Sequence, residues 1–269
     1  MKEVEQILQI LKVTPNLSSR EIGKLVGLNR QAVLYRLKKM GIHRDRNFIR
    51  TQNNTNRSYP IKITPTANQL FLGSILGDGT ISKHCRVNDS KLNNNSKLSM
   101  KHSLIQKDYV KYKKKLFEKE NIITHYSEVA PGITKPKYIK GRLVKDNGFC
   151  VLDTQKNIVL NKYRDLFYTD HKIISNKTFE LSELGLAIWF MDDGYKHSCS
   201  YYLCSEGFDV KCQNILLDML YTNFNIKGTL HKSGNNYNIY IKKESRNIFT
   251  KLIESYICDS MLYKLHEVA

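Results

Sequence analysis

Two carboxylates, Asp78 and Asp193, each follow a largely apolar run and precede a glycine. The runs are residues 70–77 and 184–191, and their apolar character on every side is typical of helices enclosed by protein. A carboxylate at a helix C-terminus faces the negative end of the backbone dipole, which is unfavourable unless a cation is bound nearby. The position of the two carboxylates therefore predicts a metal site.

The ends of both predicted helices carry local signals. Thr64 is a candidate N-cap of the first helix, and Pro65 suits the first helical position. Gly194 offers the left-handed conformation that commonly ends a helix. Asp78 and Asp193 are then equivalent residues of two repeats.

The segments FLGSILGDG (71–79) and LAIWFMDDG (186–194) resemble the nine-residue motif of the LAGLIDADG homing endonucleases, in the branch whose single chain carries both motifs. The resemblance covers about residues 61–265. It implies that the two motif helices cross at the interface between two repeats. It also implies that Asp78 and Asp193, the last acidic residue of each motif, bind divalent metal over a scissile phosphate.

The resemblance implies further residues around the metal. We place Gly77 and Asp192 with the metal site. Neighbouring side chains on a helix point about 100° apart, so Asp192 is expected to face away from Asp193, towards the surface or an outer layer of the site. Lys172 and Lys264 stand at corresponding ends of the two halves, where a lysine can polarise water or offset charge on the phosphate.

Close contact between the motif helices requires small side chains. Gly73 and Gly77 are four residues apart in the first motif, and the second motif offers Ala187. Ile188 and Trp189 follow, so either the crossing is looser there or Gly73 receives the bulk. Two buried helices with polar ends also occur in unrelated folds, but the surrounding repeat favours the motif.

The composition indicates a polyanionic partner. The 269 residues include 43 basic and 25 acidic ones, a net charge of +18, and the pI is near 9.5. The six cysteines show no CxxC pair, which favours free core thiols over a zinc site. Without a signal peptide or an 18-residue apolar run, the sequence predicts no membrane segment and an intracellular protein, cytoplasmic or nucleoid-associated.

Residues 1–46 predict an all-α helix-turn-helix domain. A capping box at residues 18–21 and a turn at Gly27 precede a helix from Arg30 to Met40, and the pattern resembles the helix-turn-helix modules of bacterial and phage DNA-binding proteins. A solvated helical hairpin is the alternative, but 11 basic against 4 acidic residues in 1–50 favour DNA. No hairpin wing is evident. The predicted DNA-contacting residues are Arg30, Gln31, Tyr35, Arg36, Lys38 and Lys39.

The remaining chain is predicted to be a linker and two repeats. Residues 47–60 carry no acid and little apolar surface, as in a linker. Residues 61–175 and 176–269 each combine a motif helix with strands and further helices. The predicted fold class is α+β: a pseudo-twofold pair of LAGLIDADG repeats with the motif helices at the interface and two antiparallel DNA-binding sheets.

Alternating polar and apolar residues predict the faces of two strands, 97–103 and 237–243. The polar face of each sheet can lie in a major groove, and the resemblance implies a saddle along the duplex. The predicted DNA-contacting residues of the sheets are Lys97, Ser99, Lys101, Asn238, Tyr240 and Lys242. His84 and His102 are expected to lie at the surface or to contact DNA.

These features predict a monomeric, site-specific homing endonuclease that makes a metal-dependent double-strand break in a long asymmetric DNA target. The resemblance implies Mg²⁺, two or more divalent ions between the motif tips, with Mn²⁺ as a substitute. Two alternatives stay open: a transcriptional regulator with a LAGLIDADG-like fold, and a group I intron maturase that binds intron RNA. The presence of both Asp78 and Asp193 favours the enzyme over the regulator.

Overall fold

A computed structural model describes residues 2–13, 17, 19–42, 61–83, 95–132, 137–139, 142–144, 147–174 and 179–266. The chain divides into two compact units, Met1–Tyr59 and Pro60–Ala269, and each unit has a hydrophobic core of its own. The predicted linker 47–60, His84 and the predicted boundary between the repeats at residue 175 lie outside the described residues.

The described part of the first unit contains three helices, α1 (Lys2–Val13), α2 (Ser19–Val26) and α3 (Arg30–Lys39). Their buried apolar residues are Ile7, Ile22, Val33 and Leu37. The side chain of Asn29 caps α3 by accepting a hydrogen bond from the backbone N–H of Ala32 at 2.8 Å. Residues 43–46, where a wing would begin, are outside the described range.

The second unit repeats one order of elements twice. The first repeat comprises α4 (Pro65–Leu76), β1 (Gly79–Lys83), β2 (Ser96–Ser103), α5 (Lys107–Lys119), β3 (Thr124–Val129), β4 (Lys137–Ile139), β5 (Arg142–Val144), β6 (Phe149–Thr154) and α6 (Asn161–Phe167). The second comprises α7 (Glu183–Asp193), β7 (Gly194–His197), β8 (Ser200–Leu203), α8 (Val210–Phe224), β9 (Gly228–Ser233), β10 (Asn236–Ile241) and α9 (Arg246–Ile253). The hairpin β4–β5 belongs to the first repeat alone among the described elements.

Each repeat forms one four-stranded antiparallel sheet, with the strand orders β1-β2-β6-β3 and β7-β8-β10-β9. The glycines that follow the two carboxylates have matching registers, since Gly79 pairs with Met100 and Gly194 with Leu203. The strand orders and registers are therefore equivalent in the two halves. This confirms the predicted α+β class with two antiparallel sheets.

The glycines after the carboxylates are required by space rather than by a left-handed turn. Gly194 has φ −90° and ψ 155° and begins β7, so the prediction of a left-handed C-cap there was wrong. A Cβ at Gly194 would overlap the ring of Phe190, and a Cβ at Gly79 would overlap the carbonyl oxygen of Ser74. The chain can therefore leave each helix directly into a strand only without a side chain at this position.

The motif helices α4 and α7 pack against each other through equivalent positions. A Cβ at Gly73 would lie 2.8 Å from Cβ of Ile188, and a Cβ at Gly77 would overlap the side chain of Asp192. Gly73 thus leaves the space that Ile188 fills, and Ala187 beside it is fully buried. The first motif supplies the small residues and the second supplies the bulk.

A single hydrophobic core spans both repeats. Its largest fully buried apolar side chains are Trp189, Tyr109, Tyr163, Tyr201, Phe71, Phe117, Phe167, Phe190 and Phe249. The two sheets and the motif helices are therefore held by one continuous packing unit. Within the described ranges, no helix combines the length and the apolar character needed to cross a lipid bilayer.

Candidate active site

The carboxylates Asp78 and Asp193 lie at the ends of α4 and α7 in surroundings that penalise their charge. The pKa of Asp78 is raised to about 6, first by burial and then by the charge of Asp192. The pKa of Asp193 is raised to about 7 by burial, then by the charges of Asp78 and Asp192. A cation bound between the helix tips would relieve this penalty.

A lysine binds the end of each motif helix. Lys172 donates to the carbonyl oxygen of Gly77 at 3.0 Å, and Lys264 donates to those of Met191 and Asp192 at 2.6 and 3.3 Å. Burial lowers the pKa of both lysines. A cation at a helix C-terminus interacts favourably with the backbone dipole. Each lysine therefore anchors the motif helix of its own repeat beside a candidate metal-binding carboxylate.

Asp192 is buried, so the first of its two predicted positions, the surface, was wrong, whereas a position in an outer layer of the metal site stays a prediction. It is 8% exposed and lies against Gly77, whose missing side chain leaves room for it. Its carboxylate accepts hydrogen bonds from Tyr109 at 2.6 Å and from Lys113 at 2.9 and 3.0 Å. Asp192 therefore extends from the second motif helix into the first repeat.

His102 is also buried, contrary to the prediction of a surface or DNA-contacting residue. Its Nδ1 lies 3.4 Å from Asp78 Oδ2 and its Nε2 lies 3.8 Å from Asp192 Oδ1. Burial, and then the charge of Lys113, lower the pKa of His102 to about 4, so the ring is neutral at pH 7. One ligand atom each of Asp78, His102 and Asp192 lie within 4.8 Å of one another.

The places of His102, Tyr109 and Lys113 around Asp192 were not predicted, although the sequence carries a signal for each residue. His102 follows Leu98 and Met100 in strict alternation, which places it on the inward face of β2. On α5, Tyr109, Lys113 and Phe117 recur at intervals of four, the spacing of one helix face. A lysine on that apolar face requires a buried anion as partner.

The donors at the helix tips fit a divalent cation. Asp78 and Asp193 offer hard carboxylate oxygens, which Mg²⁺ and Mn²⁺ prefer. Gly77 and Asp192 are the other two residues predicted at the metal site, and their backbone carbonyl oxygens accept hydrogen bonds from Lys172 and Lys264. Since the Asp192 carboxylate is bonded to Lys113, Asp78 and Asp193 are the better candidates.

The outer face of the first sheet carries the residues predicted for DNA contact. Lys97 and Asp153 form an ion pair at 2.5 Å, and Nζ of Lys101 lies 3.6 Å above the ring of Phe149. Ser99 pairs with Asp153 across β2 and β6 and is half-buried. These contacts hold charged and hydroxyl groups along one exposed surface.

The three residues predicted for DNA contact on the second sheet have different environments. Tyr240 is half-buried on the outer face, and Lys242 is exposed directly after β10. Asn238 is 5% exposed, and its amide bonds to the backbone N–H of Ser205 at 2.9 Å and to Glu206 at 3.0 Å. Asn238 therefore supports the turn after β8, because its polar group is used inside the protein.

Five of the six residues predicted for DNA contact in the first unit are exposed. The exception is Arg36, which is half-buried and pairs with Glu3 at 2.6 Å; its guanidinium also donates to the carbonyl oxygen of Ala32. Arg36 therefore links α3 to α1. The exposed residues are Arg30, Gln31, Tyr35, Lys38 and Lys39.

Similar proteins extend these observations. The chain is 38% identical to the cytochrome b mRNA maturase bI2 of Debaryomyces hansenii over 106 residues, which cover 38% of this chain and 40% of that protein. It is 28% identical to a probable intron-encoded endonuclease 1 of Wickerhamomyces canadensis over 209 residues, or 73% of this chain and 82% of that one. The chain thus spans less than half the length of the maturase.

A solved structure shares the fold. The homing endonuclease I-WcaI, bound to its DNA recognition sequence, superposes with a TM-score of 0.64 at 23% identity, covering 86% of this chain and 99% of that one. A winged helix-turn-helix DNA-binding family matches residues 5–41. The LAGLIDADG DNA endonuclease family matches residues 68–249, more than half of the chain. The chain therefore belongs to the LAGLIDADG DNA endonuclease family.

Proposed function

We propose that the chain is a site-specific homing endonuclease that makes a metal-dependent double-strand break in DNA. The observation that carries this proposal is the pair of carboxylates, Asp78 and Asp193, at equivalent tips of two packed helices. Both have a raised pKa, which a bound cation would reverse. A regulator that only binds DNA has no need of two such costly groups.

Asp78 and Asp193 would hold Mg²⁺, which Mn²⁺ can replace, with two or more ions between the tips. Divalent ions held there would activate a water molecule and neutralise charge on the scissile phosphate and the leaving 3′ oxygen. Lys172 and Lys264 hold the two helix ends in place and add positive charge beside the phosphate. Each carboxylate would lead the cutting of one strand.

The substrate would be a long, asymmetric duplex. The net charge of +18 favours contact with phosphates, and the two sheets offer outer faces of different composition. Because one chain supplies both carboxylates and both sheets, we expect a monomer to bind one target inside the cell. The unit that contains residues 5–41 would add contacts on flanking DNA, as its family match suggests.

An intron maturase is a second candidate, favoured by the similarity to the Debaryomyces hansenii maturase over 106 residues. A maturase would bind its own intron RNA, and this activity can coexist with DNA cleavage. Binding to a folded group I intron transcript, in competition with duplex DNA, measures it. Tight binding of the intron with no cleavage of any DNA would favour the maturase alone.

The central test is incubation of the full chain with a randomised DNA library in Mg²⁺, followed by sequencing of the cut ends. We expect a single non-palindromic consensus with a short stagger between the two cuts. The Asp78→Asn, Asp193→Asn double variant is the matched control and should leave the library intact. Specific binding without cleavage in Mg²⁺ or Mn²⁺ would instead support the transcriptional regulator.

A further inference from the structure

The outer faces of the two sheets have different chemistry. On the first sheet the outward positions of β2 are Lys97, Ser99 and Lys101. On the second sheet the outward positions carry five rings, here named the aromatic patch: Tyr195, His197, Tyr202, His231 and Tyr240. The first outer face also holds Val151 and Phe149, which pair with Lys101 and Ser103. The two sheets therefore differ in that the first outer face carries lysines beside single apolar residues, whereas the second carries a connected cluster of rings.

The aromatic patch is a connected group of rings. Tyr195 stacks on Tyr202 at 5.2 Å between centroids, and His231 stacks on Tyr240 at 4.5 Å. Tyr202 lies 5.0 Å from Tyr240 and shares a 2.8 Å hydrogen bond with Nδ1 of His231. Contacts across three strand pairs thus fix the rings, so little side-chain entropy remains to be lost on binding.

The aromatic patch is separate from the core. Its members alternate along the strands with core residues such as Leu203 and Ile239, and Tyr195 remains 39% exposed. Lys196 lies on the opposite face of β7, because it pairs with the buried Tyr201 and donates to the carbonyl oxygen of Leu265. No Lys or Arg occupies an outward position of β7 to β10, all of whose residues are described.

This chemistry suits one feature of a base pair. In the major groove, guanine is read by Arg or Lys and adenine by Asn or Gln, whereas the thymine methyl group is read by apolar contact. Within β7 to β10 no Arg or Lys occupies an outward position, and the amide of Asn238 is engaged within the protein. Asn236 and Lys242 are exposed at the two ends of β10 and are not part of the aromatic patch. The rings therefore match thymine methyl groups best.

We propose that the aromatic patch reads thymine methyl groups in the half of the target that lies against the second sheet. The half against the first sheet is read by hydrogen-bonding and charged side chains, the exposed Lys101 among them. This inference rests on the proposed function, since it requires a specific DNA target. It assigns the two half-sites different recognition chemistry.

The test uses the full-length wild-type chain and the duplex selected from the randomised library. Deoxyuridine replaces thymidine in one half-site at a time, which removes the methyl group and leaves base pairing intact. We expect about a fourfold loss of affinity for each buried methyl in one half, and no more than a twofold change in the other. Equal sensitivity of the two halves, or none in either, would overturn the inference.

Two variants identify which half belongs to which sheet. Selection from the library is repeated with Tyr195→Ala and with Lys101→Ala, both at exposed positions. Tyr195→Ala should relax the thymine preference in the deoxyuridine-sensitive half, and Lys101→Ala should alter only the other half. A loss of deoxyuridine sensitivity in Lys101→Ala, with Tyr195→Ala unchanged, contradicts the assignment.

The outcomes separate this inference from the proposed function. Specific cleavage of a target that is insensitive to deoxyuridine would overturn the thymine reading and leave the endonuclease intact. Failure to select any sequence or to cut any DNA would overturn both proposals. A circular dichroism melt of each variant checks that lost binding does not come from unfolding.

Discussion

Lys113 of the first repeat donates to both carboxylate oxygens of Asp192 in the second, at 3.0 and 2.9 Å. Both side chains are at most 1% exposed. The positions equivalent to this pair are Leu216, the seventh residue of α8 as Lys113 is of α5, and Gly77 in the first motif. The ion pair therefore exists on one side of the pseudo-twofold axis, and it links the two repeats.

The Lys113–Asp192 ion pair predicts that removing the lysine destabilises the protein, and that removing the carboxylate charge as well restores much of the stability. Lys113→Met should lower the free energy of unfolding by about 3–5 kcal/mol, because it leaves a buried carboxylate without its cation. Urea unfolding followed by circular dichroism measures the change. Adding Asp192→Asn to Lys113→Met should recover much of the loss. If the double variant is no more stable than Lys113→Met alone, Asp192 is not the group that Lys113 neutralises.

Substitution of either candidate metal-binding carboxylate should abolish DNA cleavage without weakening DNA binding. Asp78→Asn and Asp193→Asn keep the side-chain shape and remove the charge that would hold the cation. We expect each single variant to lose double-strand cleavage by at least about 100-fold, while binding to the selected duplex in EDTA stays equal or tightens, because one negative charge beside the phosphates is gone. Gel shift and plasmid cleavage measure the two effects. Full cleavage by the double variant contradicts the site.

The raised pKa values predict how stability responds to pH without metal. The folded pKa of Asp193 is about 7 against 3.8 for the free side chain, so the folded state binds more protons between pH 4 and 7 and loses stability as pH rises. Asp193→Asn should therefore stabilise the protein in EDTA by about 1–2 kcal/mol at pH 8, a value reduced for solvent exposure, and have no effect at pH 4.

In EDTA at pH 8 we expect Asp193→Asn to be more stable than the wild type. Addition of Mg²⁺ at the same pH should make the wild type the more stable of the two. The wild type gains stability because the cation binds the folded state, and the gain grows with concentration. Asp193→Asn should gain less. Melting curves in EDTA and in Mg²⁺, at pH 4 and pH 8, give all the comparisons. A wild type that melts at the same temperature with and without Mg²⁺ argues against a metal site at the helix tips.

Removal of the lysines at the helix ends should slow cleavage more than it weakens binding. Lys172→Met and Lys264→Met remove the cation that holds the last turn of each motif helix. We expect a decrease of about 10- to 100-fold in the single-turnover rate, with Kd changed by less than threefold. Lys119→Met is the control, since Lys119 is exposed at the end of α5. If Lys172→Met and Lys264→Met cleave as fast as Lys119→Met, the two lysines do not contribute to catalysis.

The first unit should strengthen DNA binding through the positive charge of its exposed side chains. Arg30 is exposed, whereas Arg36 is tied to Glu3, so Arg30→Ala should reduce the slope of log Kd against log salt by about one and Arg36→Ala by less. Fluorescence anisotropy on a duplex extended beyond the target measures both slopes. Unchanged slopes for Arg30→Ala and Lys38→Ala would argue against DNA contact by α3.

Local patterns in the sequence were sufficient for the helices and strands, and the resemblance to the LAGLIDADG family supplied the crossing of the motif helices at the interface between the repeats. Two apolar runs that end at Asp78 and Asp193 defined the motif helices, and alternation along 97–103 defined a strand with its faces. The order of elements then repeated in the second half. The conformation of Gly194 was predicted wrongly as a left-handed C-cap. The glycine is needed because a side chain there would overlap Phe190, and this contact depends on the three-dimensional path of the chain after the helix.

The pairing of Asp192 with Lys113 could not be predicted in the same way, although the place of Lys113 on an apolar helix face signals that it has a buried anionic partner. A helical-wheel argument places Asp192 away from Asp193, and in an isolated helix that direction is solvent. Here it is the gap left by Gly77 on the facing helix, with Lys113 and Tyr109 beyond it. The environment of a residue at an interface is set by its partner, which the local sequence does not contain.

The contact between Gly77 and Asp192 has a consequence for the ancestry and engineering of the two repeats. Two copies of the first repeat would leave a gap where Asp192 now lies. Two copies of the second would bring two Asp192 carboxylates together with no Lys113 to neutralise them, since its place is taken by Leu216. If the repeats arose by duplication, they have since become complementary, so the halves produced as separate chains should pair with each other and reject copies of themselves.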